Sequence, residues 1–412
     1  MLRSTSKWYD MRVHEGVAFR MGETARFMIV TWDGGGNNQP ALGLGRLLAA
    51  NGHAVRILVQ RGLQERVEAA GCEFRPLPSS LEFDPALGRS WEDPGQARYV
   101  NELFTGALLT ESVLDEVERR APDVLVVDFI LRNALSAAEK TGLPTAGLVH
   151  TQRRFFSFPE ATDPEGWGWD FDLVNATRVG MNLEPIPRKD RRAVVELLDR
   201  CAVVLSVIPV VFEEPDDEVP ANVRHVGPVF EEDDEKARWE SPWPADAPGP
   251  LVVVSLSTTY MHHETTLERV LSALDGLPVR ALVTLGGGLE PEEVMAPPGV
   301  VVDRYVPHIA VLPSAALVIT HAGMGTIMAS FAAGVPMICM PIDRDQPLNA
   351  DRVQALGAGR TVAAGATVEE IRQTILGALA SEALRAGARR MAEVVASYRR
   401  GAQAVEAVES LT

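Results

Sequence analysis

The most chemically loaded stretch of the chain runs from Thr320 to Arg352: T-H-A-G-M-G-T-I-M-A-S-F-A-A-G-V-P-M-I-C-M-P-I-D-R-D-Q-P-L-N-A-D-R. A β-branched run ends at Thr320, His321, Gly323 and Gly325 form a tight turn, and Thr326 opens a helical pattern. Glycines let backbone N–H groups approach a ligand closely. A helix N-terminus adds unsatisfied donors and a partial positive charge. Together they suit a diphosphate held without a metal, with His321 and the Thr326 hydroxyl as side-chain donors. A purely structural strand-to-helix turn carries the same local pattern. Further on, Asp345 and Gln346 stand at the mouth of the next helix, where a carboxylate beside an amide suits sugar hydroxyls. Helix capping by Asp345 is the plainer alternative. Upstream, Tyr305-Val306-Pro307-His308 follows another strand end, and the Tyr305 ring either stacks on a pyrimidine base or packs at the rim.

The first half offers different chemistry. Trp32-Asp33-Gly34-Gly35-Gly36-Asn37-Asn38-Gln39-Pro40 follows a strand-like run. Pro40 fits the first turn of a helix, and Asn37 and Asn38 are natural turn formers. Asp128 closes P-D-V-L-V-V-D, where it is also a candidate helix cap, and His150 closes the run Thr145–His150. The segment from Thr151 to Arg192 is poor in strand and helix signals but carries Phe155, Phe156, Phe158, Trp167, Trp169 and Phe171. Such a loop either walls a pocket for a flat, apolar small molecule or packs on its own domain. Arg153 and Arg154 are available to an anionic group.

These residues need elements to hold them. Short apolar runs alternate with amphipathic stretches almost throughout. The strand candidates are Phe27–Thr31, Ala54–Val59, Val124–Asp128, Thr145–His150 and Ala202–Ile208, then Leu251–Leu256, Arg280–Leu285, Val300–Val302, Ala316–Thr320 and Met337–Met340. Continuous β-branched runs indicate parallel strands buried on both faces, and their alternation with helices indicates doubly wound α/β domains. A chain of 412 residues exceeds what one core usually supports. We therefore expect an N-terminal extension (1–25), a first domain (26–215), an acidic, proline-rich linker (216–249), a second domain (250–380) and a C-terminal helical segment (381–412).

A net charge of −17 disfavours a nucleic-acid partner, whose phosphates call for broad basic surfaces. Cys72, Cys201 and Cys339 show no paired spacing and read as reduced, buried thiols of a cytoplasmic protein. Met1–Arg26 lacks the apolar region of a signal peptide, and no apolar run is long enough to span a bilayer.

The ordered set Y-V-P-H, H-A-G-M-G-T, G-V-P and D-Q-P-L-N-A-D-R-V resembles the donor-binding signature of the UDP-glycosyltransferase superfamily, and most of all its actinobacterial natural-product branch. The resemblance covers most of the chain from Phe27 to about Gly359. It implies a GT-B fold, two Rossmann-like domains facing each other across a cleft. It also implies inverting, metal-independent transfer of a sugar from a UDP- or dTDP-sugar to a hydrophobic acceptor, with no other cofactor.

Under that resemblance Tyr305 takes the place of the base-stacking aromatic, and His308 stands where glutamine is usual. His321, Gly325 and Thr326 meet the pyrophosphate, and Asp345 and Gln346 hold the sugar. Ser257 and Thr258 match a phosphate-side S-L-G-T loop in which serine replaces glycine. Eight residues after His321, Ala329 stands where a glutamate often grips the ribose, which favours a deoxyribose donor. Asn37 occupies the position of the family's catalytic histidine, and Asp128 that of the aspartate orienting it. Asparagine accepts no proton near neutral pH. Three routes are therefore open: Asp128 as base directly or through water, another base of which His150 is the best candidate, or an acceptor acidic enough to need little help. A non-catalytic nucleotide-sugar binder or auxiliary partner, and a nucleotide-sugar epimerase, are the rival functions. A homodimer is allowed by the sequence.

Overall fold

The computed structural model describes residues 24–82, 94–157, 171–188, 192–215, 218–231, 238–244, 246–256, 263–286 and 289–412, with the backbone alone for 94–98 and 157. Most of the expected N-terminal extension, together with Ser257, Thr258, Phe158, Trp167 and Trp169, lies outside the described residues.

Two wholly parallel sheets organise the chain. The first contains β1 (Arg26–Val30), β2 (Ala54–Val59), β3 (Glu73–Pro76), β4 (Val124–Asp128), β5 (Thr145–Val149), β6 (Val203–Ser206) and β7 (Val223–His225), in the order β3-β2-β1-β4-β5-β6-β7. The second contains β8 (Leu251–Ser255), β9 (Arg280–Thr284), β10 (Val300–Asp303), β11 (Ala315–Thr320), β12 (Met337–Cys339) and β13 (Gly359–Thr361), in the order β10-β9-β8-β11-β12-β13. Every residue of β4, β5 and β8 is buried, as strands covered on both faces must be. The alternation of side chains sorts them between two cores. Met28 and Val30 of β1 join one face, and Phe27 and Ile29 join the other. Leu251 and Val253 of β8 are likewise separated from Val252 and Val254.

Both sheets are doubly wound, and each has one place where the chain reverses its direction of growth. In the first it falls between β1 and β4, in the second between β8 and β11. The loops leaving those neighbouring strands diverge and open a crevice at their carboxyl ends.

The acidic stretch read as a linker is not irregular throughout, because its residues Val223–His225 pair with β6 as the seventh strand. The C-terminal helical segment consists of two helices, Glu382–Ala396 and Ala402–Glu409. Arg399, Arg400 and Gly401 between them adopt left-handed backbone angles, with φ of 53°, 54° and 86°. Ala404, Val405 and Val408 of the last helix pack into the core that holds Phe27 and Ile29. Glu409 accepts hydrogen bonds there from Asn51 and from the imidazole of His53, at 3.1 and 2.9 Å. The Tyr398 hydroxyl accepts from the Val210 amide at 2.9 Å, while its ring lies on Gly227.

The three cysteines are free and buried, and burial pushes each thiol up to about 12. Among the described residues no helix is long and apolar enough to cross a membrane.

Candidate active site at the two switch points

The loop after β1 packs tightly against itself. A Cβ on Gly34 would stand 2.4 Å from the Trp32 ring and 2.7 Å from Asn37 Oδ1, so only glycine lets the loop fold inward. Asn37 follows, just before the helix Asn38–Ala50, but its side chain does not cap that helix. Its amide nitrogen donates instead to the Trp32 carbonyl at 3.0 Å and to Asp128 Oδ2 at 3.3 Å. Two acceptors face that group, which fixes the amide orientation. Asn37 Oδ1 is buried without a hydrogen-bond partner.

Asp128, at the end of β4, is fully buried. It does not cap the following helix, whose N-cap position is Leu131. Its Oδ2 also accepts from Thr31 Oγ1 at 3.5 Å, and its Oδ1 accepts from the Ile130 amide at 3.2 Å. His150 comes from the next strand end, and its Nε2 lies 3.2 and 3.3 Å from the two Asp128 oxygens. The imidazole stands edge-on to Phe129, with ring centroids 4.8 Å apart. Burial on its own would lower the pKa of His150, but the charge and hydrogen bond of Asp128, with a contribution from Asp345, hold it above 6.5.

The second switch point holds the H-A-G-M-G-T turn. Ala322 adopts φ of 68°, a left-handed conformation unusual for a residue with a Cβ. It is pinned there: its amide donates to Thr320 Oγ1 at 3.2 Å, and its carbonyl accepts from Asn349 Nδ2 at 3.1 Å. Gly323 then precedes the helix Met324–Ala333, whose first N–H groups lack helical partners. The His321 ring lies over Gly323, where a Cβ would meet Nε2 at 2.4 Å. His321 Nδ1 faces the Ser255 carbonyl at 3.5 Å, at the end of β8. Burial, with the neighbouring Arg344 guanidinium and the nearby imidazoles of His263 and His308, drives its pKa down to about 3 against the opposing pull of the Ser255 carbonyl. The ring is therefore neutral, with its proton on Nδ1.

The two crevices meet. A Cβ on Gly325 would lie 3.6 Å from Gln39 Oε1, in the first turn of the helix Asn38–Ala50, and 3.9 Å from the Gly36 carbonyl, in the loop after β1. Thr151 Oγ1, beside His150, donates to Asp345 Oδ2 at 2.8 Å, and Gln152 Nε2 donates to Asn349 Oδ1 at 2.9 Å. Asp345 makes no capping hydrogen bond with its own helix, so its carboxylate is turned to the opposite half. Gln346 uses its amide oxygen to tie the Ile342 and Asp343 amides at 2.8 and 3.1 Å.

The structure brings Asn37, Asp128 and His150 into one cluster, and His321, Gly323, Gly325 and Thr326 share the turn at the second switch point. Tyr305 is 58% exposed, as a stacking platform requires, whereas Val306 is part of the core. His308 begins the short helix His308–Val311 and acts on His321 electrostatically. Phe156 needs correction. It is 3% exposed and packs against Phe129 with centroids 5.4 Å apart, so it buttresses the site from the core rather than walling it. Phe155 is partly buried against the same core. The structure adds Thr31, Gln39, Thr151, Gln152 and Asn349 to the site. The signal for Gln39 and Asn349 lay in the motifs themselves, one residue before Pro40 and three after Gln346. Among the described residues no three His, Cys, Asp or Glu side chains are grouped to hold a metal ion.

A pair of doubly wound sheets whose switch points share one gap is the GT-B architecture, and in sequence and fold the chain is similar to glycosyltransferases of natural products. Residues 268–411 match the family described as erythromycin biosynthesis protein CIII-like, C-terminal domain. The chain is 25% identical to 4'-demethylrebeccamycin synthase of Lentzea aerocolonigenes, over 94% of its own length and 99% of that protein's. Among solved structures, the glycosyltransferase of kitacinnamycin superposes with a TM-score of 0.76 at 22% identity, over 94% of this chain and 99% of that one. The glycosyltransferase VinC, solved in complex with dTDP, superposes with a TM-score of 0.66 at 19% identity, over 93% and 100%.

Proposed function

We propose that the chain transfers a sugar from a nucleoside diphosphate to a hydrophobic natural product, with inversion at the anomeric carbon and no metal in the mechanism. The observation that carries this reading is the meeting of the two switch points: Gln39 lies 3.6 Å from the site of a Cβ on Gly325, and Thr151 bonds Asp345 at 2.8 Å. A donor and an acceptor bound at these strand ends are in direct contact. The diphosphate rests on the N–H groups of Gly325 and Thr326, where the helix N-terminus and His321 stabilise the charge that grows as it leaves. Tyr305 stacks on the base, with His308 beside it, and Asp345 and Gln346 address the sugar. Residues 250–380 serve the donor and 26–215 the acceptor, with Phe155 near the latter.

Ala329 is buried in an apolar cluster on the diphosphate helix and offers no acid to a ribose 2′-hydroxyl. The donor is therefore a thymidine diphosphate sugar, in keeping with the dTDP complex of VinC. Asn37 favours one second reading, a nucleotide-sugar binder without chemistry, because it stands where the family's base is expected.

Calorimetry with TDP and UDP, followed by TDP release from a TDP-sugar with an aglycone panel, tests the proposal. Micromolar TDP binding, acceptor-dependent release and a product of inverted anomeric configuration are expected. Binding without release on any acceptor would select the binder, and no binding at millimolar nucleotide would refute both.

A further inference from the structure

The carboxylate usually credited with orienting the base here has no vacancy of its own. Ionised Asp128 has about four lone-pair sites. Thr31 Oγ1, Asn37 Nδ2, the Ile130 amide and His150 Nε2 approach them at 3.5, 3.3, 3.2 and 3.2 Å. Asp128 is also fully buried, as is Thr31, and Asn37 is 7% exposed. The His150 side chain, at 18% exposed, is the part of this network that opens on the cleft. Its neighbour Thr151 bonds the sugar-side carboxylate Asp345 at 2.8 Å, so the imidazole sits between the acceptor side and the donor side.

We propose that His150 is the general base of the transfer, a catalytic residue displaced from the end of β1 to the end of β5, with Asn37 and Asp128 as its positioning residues. This inference rests on the glycosyl-transfer reading above. Nε2–H donates to Asp128, which leaves the lone pair on Nδ1 to take the proton. The acceptor O–H gives its proton to Nδ1 as the oxygen forms a bond to the anomeric carbon. The bond from that carbon to the diphosphate oxygen breaks in the same displacement, and the electron pair departs with the nucleoside diphosphate. The imidazolium formed is stabilised by Asp128. Asn37 contributes only a donor: its Nδ2 holds Asp128 in place, so that one buried carboxylate serves a base arriving from the opposite side.

The probe is TDP release from TDP-glucose, with water and with benzyl alcohol as nucleophiles, and TDP binding is measured separately by calorimetry. His150→Gln should lower release by about 100-fold or more while TDP binding is retained. The deficit should shrink with para-nitrophenol, which ionises without help near neutral pH. Adding Asn37→His to His150→Gln should return part of the lost rate, because Asp128 can orient an imidazole from either side. In the wild-type protein, release should rise with pH through a group titrating above 6.5, since Asp128 and Asp345 both favour the charged imidazole and the base works only when neutral. Undiminished release in a His150→Gln protein that binds TDP would overturn the assignment. So would a wild-type pH profile flat through that range, a result that needs no variant to fold. Failure of the wild-type protein to bind TDP would instead strike the functional reading on which the assignment depends.

Discussion

Gly325→Ala separates the fold from the function at one atom. Gly325 lies in the first turn of the helix Met324–Ala333, without the positive φ that only glycine adopts easily. A methyl there would meet Gln39 Oε1 at 3.6 Å, the Gly36 carbonyl at 3.9 Å and Gln39 Cδ at 4.0 Å, all ordinary contacts. The folded chain accepts it, and alanine in place of a helical glycine favours folding by about 0.5–1 kcal/mol. The same methyl projects into the gap over the helix N-terminus, where a diphosphate would lie. A tenfold loss of TDP affinity, about 1.4 kcal/mol, is the least that displacing a phosphate from its N–H donors should cause. Denaturant unfolding with and without TDP measures both effects. At TDP 100-fold above the wild-type Kd, the wild-type protein gains about 2.7 kcal/mol, and a variant binding tenfold more weakly gains about 1.4 kcal/mol. An equal ligand-induced gain in both proteins would mean that the diphosphate does not lie against Gly325.

Asn349→Ala removes the clamp on the Ala322 carbonyl and the bond to Gln152 together, and should cost about 1–3 kcal/mol in denaturant unfolding. It should also weaken TDP binding in calorimetry, although Asn349 supports the turn from behind. Gly227→Ala puts a Cβ 2.3 Å from Tyr398 Cγ at φ of 69°, and overpacking of this kind costs about 1–3 kcal/mol. Hydrogen exchange should then show loss of protection in the two C-terminal helices ahead of β8–β13. His321 is neutral in the fold, with its pKa lowered to about 3 from 6.5, chiefly by burial. Between those values the unfolded chain binds the proton and the folded chain does not, so this residue contributes a stability that rises with pH and is complete above 6.5. Urea unfolding of His321→Gln should accordingly lose less stability than the wild-type protein as pH falls from 6.5 towards 4.

Long apolar strands were legible in the sequence because burial on both faces selects continuous apolar runs, as over 124–127 and 251–254, with the polar residues Asp128 and Ser255 only at the strand ends. The edge strands Glu73–Pro76, Val223–His225 and Gly359–Thr361 were not. They are three or four residues long, and they carry Glu73, Arg75, Arg224 and Arg360, which disrupt any apolar run. The break before Ala402 was hidden because Gly401 sits in an otherwise helical composition, and its need for glycine comes from its left-handed φ of 86°, with Leu47 Cδ1 only 2.9 Å from where a Cβ would stand.

At the site, glycine turns and strand ends announced the two clusters. What no sequence pattern could supply was their approach. The bond from Thr151 to Asp345 spans 194 residues, and the one from Gln152 to Asn349 spans 197. The saturation of Asp128 was likewise invisible, since its partners come from positions 31, 37, 130 and 150. Phe156 looked like a pocket wall because an aromatic in a loop signals either exposure or a core anchor, and only packing against Phe129 distinguishes them.

The structure of the protein crystallised with TDP tests the account most directly. The β-phosphate should lie within hydrogen-bond reach of the Gly325 and Thr326 amides, with the His321 ring alongside and the thymine over Tyr305. A diphosphate bound anywhere else, with those amides facing solvent, would contradict it.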